Sequence, residues 1–101
     1  MGSIFDIEEK LIKEIDEEYL ISNGWVLKNT IHFGDVYVKT IHHKNRPSRF
    51  IKFCYHHDLY DPMLRNMNTW ETIYVHDIMT FELQVNEWVT YWKNIYKQFF
   101  I

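Results

Sequence analysis

Cysteine is nearly missing from this chain of 101 residues, where Cys54 stands alone. One thiol forms no intramolecular disulfide, which excludes a disulfide-framed scaffold and leaves a reducing cytosol as the expected compartment. Glycine (3) and proline (2) are scarce, so collagen-like repeats and flexible linkers are excluded. Gly24 and Gly34 stand apart, and no glycine-rich loop could cradle a phosphate. No apolar run approaches the ~18 residues of a membrane span. Met1-Gly2-Ser3 runs into acids, so no signal peptide is expected. Myristoylation of Gly2 is rejected, because Asp6 stands where that motif wants Ser or Thr.

What is present is apolar and aromatic: 47% of residues are hydrophobic and 18% are Phe, Trp or Tyr. A chain of this size can bury about two thirds of its unfolded surface. One domain with a real core, built without metal or disulfide, is expected.

The net charge of −3 hides a separation of signs. From Asp6 to Glu18 there are seven acids and two lysines; from Lys28 to Lys52 there are six bases and one acid. Charge so divided bears on partners and association rates rather than on fold.

The first element reads as a helix from about Ser3 to Ser22, because Ile7, Leu11, Ile15 and Tyr19 recur every four residues and Asn23-Gly24 supplies a stop. Three strands follow, over Trp25 to His32, Asp35 to His43 and Ser48 to His57, as an antiparallel meander. Alternation places Phe50, Lys52, Cys54 and His56 on one side of the third strand and Arg49, Ile51, Phe53 and Tyr55 on the other. Asp61-Pro62 can start a helical turn over Met63-Leu64-Arg65, and Trp70 to Val75 reads as a fourth strand. Ile78, Phe81, Val85, Trp88, Trp92, Ile95 and Phe99 form a 3-4 seam, which predicts one long helix capped by Asp77. The expected fold is therefore α+β: a three- to four-stranded antiparallel meander with an N-terminal helix and a long C-terminal helix.

Six histidines invite a metal reading. His42/His43 and His56/His57 lie about 26 Å apart along the strands and cannot share an ion. A cluster of His32, His57 and Asp58 near Cys54 is geometrically open, but its spacing matches no metal motif, so no metal site and no cofactor are assigned. A ββα-metal nuclease would need a histidine on a helix after His42-His43-Xaa-Asn45, where a strand is expected instead. A hydrolase centred on Cys54 and His56 lacks a recognisable orienting group and oxyanion turn, and Cys54 reads as a small core residue.

The basic hairpin carries more. Lys39, Lys44, Arg46, Arg49 and Lys52 surround one loop, with Tyr37, Phe33 and Phe50 close by, the mix that neutralises phosphates and stacks bases. Trp88, Tyr91 and Trp92 are a candidate aromatic interface, and a self-complementary helix face would give a homodimer. The expected function is non-catalytic binding of a protein or ribonucleoprotein. RNA or DNA binding by the hairpin is the alternative, and a small metal-dependent enzyme is the remaining one.

The segments Asn23-Gly24-Trp25, Phe33-Gly34-Asp35-Val36-Tyr37 and Tyr74-Val75-His76-Asp77-Ile78 resemble small orphan proteins carried by phages and mobile elements of AT-rich bacteria. Size and composition resemble the anti-CRISPR class, whose members occupy a surface of a host nuclease complex and share no fold. The resemblance implies a phage-encoded inhibitor that binds and blocks a bacterial defence nuclease in the host cytoplasm. In one version Lys44, Arg46 and Arg49 contact guide RNA or an acidic groove. In the other Glu14, Asp16, Glu17 and Glu18 imitate phosphates.

Overall fold

The computed structural model describes residues 14–58 and 60–98. They group into two compact units, one of residues 17–74 and one of residues 14–16 with 75–98. The architecture is α+β.

The first unit holds helix α1 (Glu17–Ser22) and a five-stranded antiparallel meander: β1 (Val26–Thr30), β2 (Gly34–His42), β3 (Phe50–His56), β4 (Met63–Asn66) and β5 (Thr72–Tyr74), adjacent in chain order. The α1 stop works as the sequence predicts. Gly24 sits at φ 86°, and the Gly24 and Trp25 amides bond the carbonyls of Ile21 and Leu20 at 3.1 and 2.9 Å. Gly34, at φ 69°, closes the three-residue turn from β1 to β2.

The sheet has five strands where three to four are expected, because Met63-Leu64-Arg65 is extended rather than helical. Proline's missing amide is as harmless just before a strand as at a helix start, so Asp61-Pro62 is compatible with both. Pairing decides: β3 gives this segment a ladder through Phe53↔Asn66, Cys54↔Arg65, Tyr55↔Leu64 and His56↔Met63. The N-terminal helix also differs from expectation. Glu14, Ile15 and Asp16 are not helical, since Glu14 forms a β-bridge with Asp77, while the expected helical turns over residues 3–13 lie outside the described residues.

Register separates the sheet into two unlike faces. Tyr37, Tyr55 and Leu64 line up across β2, β3 and β4, and with Ile51 and Phe53 they are buried. Burial of each such side chain is worth about 1.5–3 kcal/mol, so this face sets the stability of the unit. Helix α1 lies on it: Tyr37 hydrogen-bonds the Glu17 side chain, and Lys39 Nζ donates to the Asn23 carbonyl at 2.7 Å. Burial, helped by the Glu17 carboxylate, raises the Tyr37 phenol, and burial alone pushes Tyr55 up to about 12.

The second unit is dominated by helix α2 (Ile78–Gln98). The Thr80 amide donates to Asp77 Oδ2 at 2.8 Å, the cap the sequence predicts. Phe81, Trp88 and Trp92 are buried along the 3-4 seam, with Ile78, Val85 and Ile95 half-buried beside them. Residues 78–98 are helical throughout, while Phe99 of the expected seam lies outside the described residues. No helix among the described residues is long and apolar enough to cross a membrane.

Candidate functional site

The other face of the sheet carries the chemistry. Alternation from the same register assigns it Val26, Lys28 and Thr30 of β1, Val36, Val38, Thr40 and His42 of β2, Phe50, Lys52, Cys54 and His56 of β3, Met63 and Arg65 of β4, and Thr72 and Tyr74 of β5. None of these positions is a carboxylate, in a chain whose acids outnumber its bases by 14 to 11. The acids are elsewhere: Asp35 pairs with Asn29 on the opposite face, accepting from Asn29 Nδ2 at 2.8 Å, and Asp58 turns back to accept from the Tyr60 amide at 2.8 Å.

A cavity of about 250 Å³ opens on this face. Val36, Val38, Cys54, Met63 and Met67 give it an apolar, sulfur-rich lining, and His32, Phe33, Lys52, His56 and Arg65 supply an aromatic ring, two imidazoles and two cations. The Cys54 thiol is raised by burial, while the charges of Arg65 and Lys52 pull it the other way. It is half-buried in the cavity rather than a closed core residue, which corrects the sequence reading.

Arg65 is closely held. Its guanidinium lies 5.6 Å from the Phe33 ring centroid and 5.5 Å from that of Trp70. Arg65 Nε donates to Thr72 Oγ1 at 3.1 Å, and Thr72 Oγ1 donates in turn to the Trp70 carbonyl at 3.2 Å. The relay fixes the guanidinium through Nε. No carboxylate pairs with Lys28, Lys52 or Arg65 among the described residues.

Trp70 itself is strained. It holds φ 68°, the left-handed region that bulky L-residues avoid, and its side chain is 63% exposed. The β4–β5 turn imposes this through Trp70 N–H to Asn66 O at 2.7 Å and Asn66 N–H to Glu71 O at 2.9 Å. Asn68 ties the same turn to β3, donating to the Phe50 carbonyl at 2.9 Å and accepting from the Lys52 amide at 3.0 Å. An exposed tryptophan in a costly conformation, with its ring against an oriented arginine, is the kind of outlier that clusters at functional sites.

The structure regroups the residues expected from sequence. Lys52 lies on the cavity face, with Lys44, Arg46 and Arg49 exposed in the adjoining loop between β2 and β3. Lys39 and Tyr37 point to the opposite face, where Lys39 braces α1 and Tyr37 is buried. Neither can join Lys52 on a ligand, because neighbouring strand positions face opposite ways. Of the aromatic trio on α2, Trp88 and Trp92 are core at 6% exposure each and only Tyr91 is exposed. Glu14 and Asp16 belong with α2's unit, while Glu17 and Glu18 begin α1. His57 stacks on Tyr55 at 6.0 Å on the buried face, so the histidines near Cys54 are His32 and His56. No group of three or more His, Cys, Asp or Glu able to hold a metal occurs among the described residues.

Sequence reasoning missed Arg65, Trp70, Met63 and Met67. The signal was the alternation of Met63, Arg65 and Met67 with Leu64 and Asn66, masked by the Asp-Pro preceding it. No protein-family model, no curated protein and no solved structure matches the chain.

Proposed function

We propose that this protein is a non-catalytic binding module of the cytoplasm that holds single-stranded nucleic acid, RNA first, on its acid-free sheet face. The observation that carries this reading is the segregation of charge: Lys28, Lys52 and Arg65 share one face with His42 and His56 and with no carboxylate, in a chain of net charge −3. Such a face attracts a polyanion that the rest of the molecule would repel. Phe33, Phe50, Trp70 and Tyr74 are all exposed on or beside it, as stacking platforms for unpaired bases. A duplex hides its bases and gains little from these rings.

An inhibitor of a bacterial defence ribonucleoprotein is the special case in which the bound strand is guide RNA within the complex, with Lys44, Arg46 and Arg49 extending the track. Phosphate mimicry has less support, because its four acids divide between two units and Glu17 is engaged by Tyr37.

Fluorescence polarisation of a labelled single-stranded oligonucleotide across a salt series tests the reading. Three face cations give a slope of log K against log salt of about −2, and six, with the loop included, about −4. Lys52→Glu with Arg65→Glu is expected to abolish binding, and Lys39→Gln to leave it intact. Binding that ignores salt, or survives the double reversal, overturns the proposal.

A further inference from the structure

We infer that the cavity beneath Arg65 is a socket for one unpaired nucleobase of the bound strand, with the backbone phosphate beside it on Arg65 and Lys52. This rests on the nucleic-acid reading and goes beyond it by naming what enters the cavity.

Size is the first argument. At about 250 Å³ the cavity falls below the roughly 300–1,000 Å³ of drug-sized pockets, so it suits a single ring system rather than a larger cofactor. Lining chemistry is the second. Cys54, Met63 and Met67 present polarizable sulfur, favourable against an aromatic ring, and Phe33 adds an aromatic wall. Charge complementarity is the third. An apolar ligand alone would leave Lys52 and Arg65 without a counter-charge, whereas a base carried on a phosphodiester satisfies the floor and the cations together.

The register makes the placement specific. Across β3 and β4, Cys54 faces Arg65 and His56 faces Met63, and the Met67 amide donates to the Lys52 carbonyl at 2.8 Å. The two cations are thus diagonal neighbours on adjacent strands, with side-chain bases about 7–8 Å apart, flanking the thiol. The lining holds no carboxylate and no amide side chain; besides the two cations, its polar groups are Thr30 and the imidazoles of His32 and His56. The socket therefore takes a base chiefly by contact with its apolar, sulfur-rich lining.

Two oligonucleotides of equal length on the unmodified protein test this, one of uridines and one of the same phosphodiester backbone with abasic sugars throughout, compared at one salt concentration. The abasic strand is expected to bind at least about five-fold more weakly, because it loses the socketed base together with any base stacked on Phe50, Trp70 or Tyr74. Alkylation of Cys54 by N-ethylmaleimide, the chain's one thiol, is expected to slow at least about ten-fold under saturating uridine strand, the fraction of free socket setting the rate. Unchanged alkylation of Cys54 under saturating, salt-dependent binding overturns the socket alone, whereas equal affinity of the two strands overturns the socket and the exposed stacking platforms together. Failure of both strands to bind at low salt defeats both proposals together.

Discussion

Replacing Trp70 separates stability from binding more cleanly than any other substitution on the sheet face. At φ 68° the tryptophan holds a backbone conformation that costs an L-residue roughly 1–2 kcal/mol. Its compensation in the folded state is small. The ring is 63% exposed, and its contact with the Arg65 guanidinium at 5.5 Å is worth about 0.5–1 kcal/mol at an exposed site. Asparagine tolerates the left-handed region with little strain, so Trp70→Asn should relieve about as much as it loses. Its unfolding free energy from urea titration is therefore expected within about 1 kcal/mol of the parent protein, on either side. Trp70→Gly should be similar, since relief of strain is offset by roughly 0.5–1 kcal/mol of added unfolded-state entropy. Oligonucleotide affinity should nonetheless fall at least about five-fold in both variants, because a stacking surface is gone and Arg65 loses one wall. A stability loss above about 2 kcal/mol would refute the reasoning. It would mean that the ring is held for structure and that its strain says nothing about a ligand.

Tyr55 governs the alkaline limit: its pKa rises from the ordinary 10 to about 12 on burial, so the folded state prefers the neutral phenol. That preference contributes fully below pH 10 and is lost as pH climbs toward 12, by about 2 kcal/mol at the upper end. Tyr55→Phe should flatten this limb in urea titrations at pH 8 and pH 12, and equal losses in both proteins would contradict the assignment. Asp77→Ala should cost about 1 kcal/mol in thermal or urea unfolding by leaving the Thr80 amide uncapped, and Asp77→Asn should recover most of it. Lys39→Met should lower stability by about 0.5–1.5 kcal/mol through the lost bond to the Asn23 carbonyl, with oligonucleotide affinity unchanged. A fall in affinity would place Lys39 at the ligand after all.

Periodicity and caps were enough to define α2, the β1–β3 meander and the end of α1. Each depends on groups within a few residues of one another: Asp77 with Thr80, Gly24 with Ile21, and side chains three, four or two apart. The alternation that sends Ile51, Phe53 and Tyr55 to one face and Lys52, Cys54 and His56 to the other was equally readable. The face that carries the candidate site was not. Met63-Leu64-Arg65 fits a helical turn as well as a strand until β3 supplies its hydrogen-bonding partner, and a partner distant in sequence leaves no local trace. The same holds for Arg65 between Phe33 and Trp70, residues 32 and 5 positions away that only the strand register and the left-handed turn bring to one guanidinium. Proximity in sequence joined Tyr37 and Lys39 to Lys52; tertiary pairing put them on opposite faces, because adjacent positions on a pleated strand cannot look the same way.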